Sequence, residues 1–214
     1  MKIIKIIKYV FIFLCLCLLI RSINNNPSIQ NNKDDKDDNV IYIKNFLTHR
    51  DYHSITTLDK DLSKFTFEKF RYSKPLINKN IHNIFYNEKY IHKINKHLNH
   101  KIYPSDFPIE HRFYLDNSPG MRWHKDLLMY QKPQYEAIFT INNNTKSVTQ
   151  WKDKKNQIHE IWTEPNSLLI VKADNYFHHV TPPEYGTREI LKLIYTQTDD
   201  KHPNYFNEMK RFNY

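Results

Sequence analysis

Glycine is the residue that most restricts the folds open to this 214-residue chain, because the chain contains only two, Gly120 and Gly186. Nucleotide-binding turns of the G-x-G-x-x-G and P-loop types need several glycines close together, so both are excluded. Collagen-like repeats and glycine-rich linkers are excluded for the same reason. Hydrophobic residues make up 40% of the chain and aromatic residues 14%, which is enough for one packed core and excludes a wholly disordered protein.

The N-terminal part of the chain differs in composition from the rest. Three lysines precede an uncharged apolar run from Tyr9 to Ile20, so residues 1–21 are predicted to be a targeting segment. The apolar run has the length of the hydrophobic region of a signal peptide, but no small-residue cleavage site follows it, and about 18 residues counted from Ile3 could just cross a bilayer. This favours an uncleaved signal anchor, which predicts a single-pass type II membrane protein with its body in the lumen of the endoplasmic reticulum. A cleaved signal peptide and a secreted protein are the alternative. Residues 22–39, rich in Asn, Asp and Lys, are predicted to form a flexible polar stalk.

Charge and cysteine content exclude further classes of protein. The formal net charge is +9, but the lysines are scattered along the chain rather than clustered. We therefore interpret the charge as solvated surface and expect no nucleic-acid partner. Both cysteines, Cys15 and Cys17, lie in the apolar run, so the folded body has neither a disulfide scaffold nor a cysteine-based zinc site.

The folded body is predicted to begin near Val40 with a short strand, Val40–Ile43. Helices are expected over residues 50–62 and 87–98, and the chain changes to short β-like runs after Pro108. The predicted strands of this second part are Glu110–Leu115, Tyr135–Ile141, Ser147–Trp151, Ile158–Thr163, Ser167–Val171 and Glu189–Thr196. Several short strands separated by turn residues are typical of a sandwich or a barrel.

The chemistry-bearing residues are concentrated between positions 111 and 196. His124 and Asp126 are two residues apart, so on a strand both side chains lie on one face and can bind one ion. A second histidine from a distant strand, such as His178, would complete a two-histidine, one-carboxylate site that leaves positions open on Fe(II). An arginine on a neighbouring strand, such as Arg188, can hold the far carboxylate of a co-substrate through a two-pronged pair.

This stretch resembles a known family, the 2-oxoglutarate/Fe(II)-dependent dioxygenases, and within it the prolyl-4-hydroxylase-like branch. The family pattern H-x-D … H-x-V-x-P-x3-G-x-R is met by His124, Asp126, His178, Val180, Pro182, Gly186 and Arg188. The resemblance covers about residues 40–198, with the catalytic core at about 107–198 and a C-terminal tail at 199–214. It implies a mainly β (α+β) fold, a double-stranded β-helix of the jelly-roll or cupin type with supporting helices from residues 45–100.

The resemblance also implies roles for individual residues. His124, Asp126 and His178 resemble the iron ligands, and Arg188 resembles the partner of the distal carboxylate of 2-oxoglutarate. Tyr114 resembles a tyrosine that contacts the same co-substrate. Thr140 is placed where related enzymes carry a hydroxyl directed at that carboxylate; for Tyr114 and Thr140 a core-facing strand residue is the alternative.

Two neighbouring choices stay open in the sequence. His179 competes with His178 for the ligand role, and the V-x-P register after the histidine favours His178. Trp123 and Trp151 are candidates for the mouth of a substrate site, and plain core residues are the alternative.

The implied activity is hydroxylation of an unactivated C–H bond with release of succinate and CO2, using Fe(II), 2-oxoglutarate, O2 and, in the prolyl hydroxylase branch, ascorbate. A lumenal body favours a prolyl or, next, a lysyl residue in a protein or peptide substrate. Ile194 stands where nucleic-acid demethylases carry a second arginine, which counts against nucleic acid.

Several features leave alternatives. The strand at Ser147–Trp151 lacks the Gly-Gly-x-Thr pattern common in prolyl hydroxylases, and many of those enzymes have lysine where this chain has Arg188. There are two alternatives to a protein hydroxylase. One is a membrane-tethered jelly-roll binding module with an inactive site, and the other is a small-molecule hydroxylase of the same superfamily. An acceptor pattern for N-glycosylation, Asn143-Asn144-Thr145, is predicted to lie on a hairpin loop and to be used if the body is lumenal.

Overall fold

A computed structural model describes residues 40–131 and 133–212. The predicted targeting segment and stalk, residues 1–21 and 22–39, lie outside the described residues. Among the helices that are described, none is long and apolar enough to cross a membrane. The strands are β1 Val40–Ile43, β2 Thr66–Glu68, β3 Arg71–Pro75, β4 Tyr103–Pro104, β5 Glu110–Leu115, β6 Met121–His124, β7 Gln134–Asn143, β8 Thr149–Lys152, β9 Ile158–Ile161, β10 Ser167–Lys172, β11 His178–Val180 and β12 Thr187–Thr196. The helices are α1 His49–Thr56, α2 Lys79–Phe85, α3 Glu88–Asn95 and α4 Pro203–Met209, with 3-10 turns at Leu62–Lys64 and Lys210–Phe212.

The strands form two antiparallel sheets. The larger has the order β1-β10-β7-β12-β5-β3-β2, with β4 beside β12, and the smaller has the order β6-β11-β8-β9. Side chains of both sheets line one cavity between them. This arrangement confirms the predicted double-stranded β-helix, in which residues alternate along each strand between the cavity and the outer face.

Helices α1, α2 and α3 cover the outer face of the larger sheet. Ile55, Phe85 and Ile94 come from the three helices, and they join a buried cluster with Phe139 of β7 and Leu191 of β12. Asparagine or threonine caps each of these three helices; Thr48, for example, accepts a hydrogen bond from the backbone N–H of Asp51. The helices therefore support the sheet that carries Arg188, as predicted for residues 45–100.

The predicted boundaries differ from the structure where the sequence is polar. The first predicted helix ends at Thr56 instead of residue 62, because Asp59-Lys60-Asp61 leads into a 3-10 turn capped by Asp61. The second ends at Asn95, and a separate helix, α2, precedes it. Strands β6 and β11 were not predicted, because each is three or four residues long and rich in histidine. The segment 199–214, predicted as a tail, contains α4, whose Tyr205 is buried.

The glycosylation pattern does not lie wholly on a hairpin loop: Asn143 belongs to β7, and Asn144 and Thr145 begin the connection to β8, which is in the other sheet. Asn143 is the last residue of β7 and is only 4% exposed. Its side-chain nitrogen donates to the carbonyl oxygens of Ser147 at 3.4 Å and Thr163 at 3.2 Å, and its side-chain oxygen accepts from the hydroxyl of Thr145 at 2.7 Å. Asn143 therefore acts as a structural clamp on the connection between β7 and β8.

Candidate active site

Two histidines and one aspartate meet on the cavity side of the smaller sheet. His124 and His178 face each other across β6 and β11, with ring centroids 4.3 Å apart. One carboxylate oxygen of Asp126 lies 3.4 Å from Nε2 of His178, and the other lies 3.8 Å from Nε2 of His124. One potential ligand atom of each residue lies within 4.8 Å of those of the other two. The sequence-predicted triad is thus brought together around a single point that a metal ion can occupy.

Hydrogen bonds orient both imidazoles for metal binding. Nδ1 of His124 lies 2.8 Å from the carbonyl oxygen of Arg122, and Nδ1 of His178 lies 3.2 Å from that of Tyr176. A carbonyl accepts only, so each Nδ1 carries the proton and each Nε2 keeps its lone pair for a metal. Burial, reinforced by the nearby His178, lowers the pKa of His124, which keeps the ring neutral.

The third ligand is held in its charged form. Burial alone would raise the pKa of Asp126, but nearby positive charge, that of Lys192 first, outweighs it and lowers the pKa. A neutral imidazole pair beside an ionised carboxylate is the donor set that binds a divalent first-row metal. The residues present therefore fit Fe(II).

Gly120 allows the strand of His124 to approach the strand of His178. Its φ is +70°, in the left-handed region that favours glycine. A Cβ on Gly120 would lie 2.2 Å from the carbonyl oxygen of Val180, a distance that no side chain tolerates. One of the chain's two glycines is therefore required for the packing of β6 against β11.

Arg188 lies in the same cavity, from the opposite sheet, and is 1% exposed. Its Nη2 donates to the hydroxyl of Thr149 at 2.9 Å and of Thr163 at 3.3 Å. Nε and Nη1 are buried without a hydrogen-bond partner, and no carboxylate among the described residues pairs with the guanidinium. Burial lowers the pKa of Arg188, although arginine stays charged at any physiological pH. An unpaired buried cation of this kind is a site for an anion.

Tyr114 and Thr140, for which a core-facing strand residue was the alternative, lie in different places in the structure. Tyr114 lines the cavity next to Arg188, opposite it in the register of β5 and β12, and its hydroxyl contacts the sulfur of Met121 at 3.0 Å. Thr140 does not line the cavity; its hydroxyl donates to that of Thr163 at 2.9 Å, behind Arg188. Thr149, rather than Thr140, is the threonine that lines the cavity and contacts the guanidinium. Alternation along the predicted strand at 147–151 would have pointed to Thr149.

The open choice between the adjacent histidines is resolved by geometry. His179 faces the outer side of the smaller sheet, where its Nε2 lies 2.6 Å from Oε1 of Gln150 and its ring lies 4.2 Å from that of Trp123. His178 faces the cavity. Trp151 pairs in register with His178 on β8, and its ring stacks on His159 at 5.5 Å. Trp123 therefore lies outside the cavity, whereas Trp151 lies beside the metal-binding face.

A second set of charges, which the sequence analysis missed, lines the cavity on the larger sheet. Lys192 Nζ lies 2.5 Å from a carboxylate oxygen of Glu136. Burial, and then the charge of Arg112, lowers the pKa of Lys192 to about 8. Arg112 binds the buried carboxylate of Glu110 through three contacts of 2.9 to 3.2 Å. Sequence patterns gave no signal for these pairs, because charged residues on a strand are usually solvated.

Comparison with known proteins supports the fold. No protein-family model matches the sequence, and no curated protein matches it. Among solved structures, a 2OG-Fe(II) oxygenase family oxidoreductase from Burkholderia pseudomallei has a TM-score of 0.64 at 9% identity, over 78% of this chain and 88% of that chain. A prolyl hydroxylase from Trichoplax adhaerens, in complex with a hypoxia inducible factor peptide, has a TM-score of 0.58 at 14% identity, over 73% and 83%. HygX from Streptomyces hygroscopicus, with nickel and 2-oxoglutarate bound, has a TM-score of 0.56 at 10% identity, over 75% and 83%.

The chain therefore has the fold of the 2-oxoglutarate and Fe(II) oxygenases, prolyl hydroxylases included. At these identities the likeness is one of fold, and the triad and Arg188 are what connect this particular chain to the chemistry.

Proposed function

We propose that the protein is an Fe(II)- and 2-oxoglutarate-dependent dioxygenase that hydroxylates an unactivated C–H bond, in a prolyl or lysyl residue of a protein substrate. One observation carries the proposal: a triad of metal ligands and an unpaired buried arginine line the same cavity. When bound, Fe(II) and 2-oxoglutarate supply the oxidising chemistry, in which O2 is consumed and the co-substrate is decarboxylated to succinate and CO2.

The protein's own residues perform the binding and positioning. His124, Asp126 and His178 would hold the iron and leave its remaining positions open for co-substrate and O2. Arg188, with its unpaired Nε and Nη1, would hold the distal carboxylate of 2-oxoglutarate, and the hydroxyls of Thr149 and Thr163 fix the guanidinium in place. The apolar walls around the cavity exclude water and strengthen these charge interactions.

A peptide substrate is supported by the Trichoplax adhaerens neighbour, which was solved with a peptide. The choice of a prolyl residue rests on the resemblance to that branch. A small-molecule hydroxylase of the same superfamily is the second candidate, since HygX, which has the same fold, was also solved with hygromycin B. A body in the lumen of the secretory pathway, reached through residues 1–21, is part of the proposal, and ascorbate would then serve as a reductant.

The proposal is tested first without any substrate. Under anaerobic conditions, 2-oxoglutarate is titrated into the Fe(II)-loaded full chain, and the weak visible charge-transfer band of the chelate is recorded. The wild type should develop the band. Asp126→Ala should lose it, and Arg188→Ala should need far more co-substrate to reach it. A folded wild type without a band would reject the oxygenase and favour a binding module with an inactive site.

The substrate class is tested next by mass spectrometry. Proline-rich and lysine-containing peptides are incubated with enzyme, 2-oxoglutarate and O2, and a gain of one oxygen atom per peptide is measured together with succinate. An addition at proline or lysine, absent in Asp126→Ala, would support the protein-hydroxylase assignment. Succinate formation stimulated only by small molecules would instead support the second candidate.

A further inference from the structure

A groove beside the metal triad has the charge of a site for an acidic ligand. It has a volume of about 580 Å³. Its walls include Lys69, Phe70, Pro119, Met121, Arg122 and His124. His124 and Met121 also line the cavity that holds Arg188, so the groove leads directly to the predicted metal. No carboxylate is among its lining residues.

The two walls of the groove are fixed relative to each other. Lys69 and Phe70 form the two-residue turn of the β2–β3 hairpin, and Lys69 has a φ of +48°, which is uncommon for a residue other than glycine. The hydroxyl of Ser118, on the opposite wall, donates to the carbonyl oxygen of Phe70 in a short hydrogen bond. The groove is therefore preformed. Lys69 lies at a turn with a strained backbone, and such strain makes the residue a candidate for ligand recognition.

The cations of the groove lack partners. Within the part of the chain that the structure describes, neither Lys69 nor Arg122 forms a side-chain hydrogen bond or an ion pair. The carboxylate of Glu68, the residue before Lys69, is already shared between Arg71 at 3.3 Å and Arg211 at 2.6 Å. Behind Met121 lies the buried Arg71, whose Nε has no partner. The charged residues that line the groove are both positive, and a negatively charged ligand would pair with them.

We propose that this groove binds an acidic segment of the protein substrate, with a carboxylate side chain one to three residues from the residue presented to the metal. Arg122 is two residues from His124, which on a strand is about 7 Å, the length of two residues of an extended peptide. Phe70 and Pro119 supply apolar contact for the segment between. The inference deepens the proposed function and depends on it for the identity of the substrate as a protein.

A nucleic acid is the competing anion, and the groove fits it less well. Nucleic-acid affinity comes from many phosphate contacts along a strand, whereas this groove has two unpartnered cations and one aromatic ring. Two cations suit one or two carboxylates. The acidic peptide is therefore the ligand that the observations favour.

The test measures binding to the full chain and needs no turnover. Fluorescein-labelled decapeptides of alternating Glu and Pro, or of alternating Gln and Pro, are titrated by anisotropy at about 150 mM salt, where distant surface charges are screened. Because the chain carries a net charge of +9, the matched control matters. The groove variant Lys69→Gln with Arg122→Gln is compared with Lys79→Gln with Lys101→Gln, which removes the same charge from exposed positions elsewhere.

The Glu-Pro peptide should bind, and the groove variant should weaken it about three- to tenfold, in line with two partly exposed ion pairs. The control variant should change its affinity less than about twofold. If the double variant fails to fold, Arg122→Gln alone should still weaken binding about two- to threefold. Equal affinity for the Gln-Pro peptide, equal losses in both variants, no binding, or stronger binding of a single-stranded oligothymidine would each overturn the proposal.

A paramagnetic measurement locates the peptide. With Mn(II) in place of iron, NMR signals of the bound Glu-Pro peptide should broaden, and Asp126→Ala should remove the broadening without weakening the anisotropy signal. If the peptide binds to the Mn(II)-loaded wild type and its signals do not broaden, the peptide lies away from the groove and the inference is rejected. Failure of Mn(II) to bind at all, with peptide affinity intact, would instead count against the proposed function.

Discussion

Replacing Arg188 with methionine should stabilise the protein in the absence of co-substrate while removing co-substrate binding. The guanidinium is 1% exposed, and two of its three nitrogens have no partner. Leaving a buried donor unsatisfied costs about 1–3 kcal/mol per group, so the two together cost about 2–6 kcal/mol. The bonds to Thr149 and Thr163 return about 1.5–3 kcal/mol, because one is short and the other long. The midpoints of the two ranges, about 4 and about 2 kcal/mol, give a net gain from Arg188→Met of about 2 kcal/mol.

Thermal unfolding provides the assay. For a chain of this size, about 1 kcal/mol corresponds to about 2–4 °C in Tm, so Arg188→Met should unfold about 4–8 °C above the wild type. Adding 2-oxoglutarate with Mn(II) should raise the Tm of the wild type and leave that of the variant unchanged, because only the wild type binds the ligand.

Arg112 supplies the contrasting case, since it is equally buried but paired. Its guanidinium holds the carboxylate of Glu110, which is 2% exposed. Arg112→Met would remove the main partner of that carboxylate and leave it only the Ser73 hydroxyl, at 3.1 Å, and more distant cations, so it should destabilise the fold by about 3 kcal/mol. The reasoning is refuted if both substitutions destabilise the protein to a similar extent. That result would mean that Arg188 contributes packing rather than an unsatisfied charge.

Three further predictions concern pH, backbone and metal affinity. Burial alone would raise the pKa of Glu110, but the charges of Arg112 and Lys192 outweigh it and lower the pKa to about 2. The contribution of Glu110 to stability is therefore complete above its unfolded pKa near 4.5 and is lost as the pH falls toward 2. Urea titrations should show that the free energy of unfolding falls with pH in this range and that Glu110→Gln flattens the slope; an unchanged slope would contradict the assignment. Gly120→Ala should destabilise the fold by more than about 2 kcal/mol and weaken Mn(II) binding, since its Cβ would lie 2.2 Å from the carbonyl oxygen of Val180; normal Mn(II) affinity by electron paramagnetic resonance would show that β11 does not move. Lys192→Met should bind Mn(II) severalfold more tightly, because a positive charge that acts on Asp126 is removed; weaker binding would show that Lys192 instead holds the site in shape.

Long strands and the spaced motif were predictable from the sequence. The run Glu110–Leu115 was predicted with its observed ends, and its aromatic residues Phe113 and Tyr114 favour a buried strand. His124, Asp126 and His178 were identified by the spacing of the whole family pattern; the expectation that His124 and Asp126 share one strand is wrong, because β6 ends at His124 and Asp126 follows it. Arg188 followed from its place in the same pattern.

The partners of these residues were not predictable, because they come from strands far apart in the chain. Thr163 contacts Arg188 only through the packing of the two sheets, and Lys192 meets Glu136 across the β7–β12 pair. Neither relation leaves a local signal. The β6 and β11 strands were missed for a related reason: three- or four-residue strands are stabilised by tertiary contacts rather than by their own propensity.

The clamp formed by Asn143 has a consequence for the maturation of the protein. The nitrogen to which an oligosaccharide would be attached is the same nitrogen that donates to Ser147 and Thr163, inside a closed turn. A glycan would replace one of the two N–H hydrogens that make these contacts, on a side chain that is only 4% exposed, so glycosylation of Asn143 is incompatible with the native β7–β8 connection. In a secretory compartment, transfer of the sugar would compete with folding for one amide, and every natively folded molecule would be one in which folding finished first.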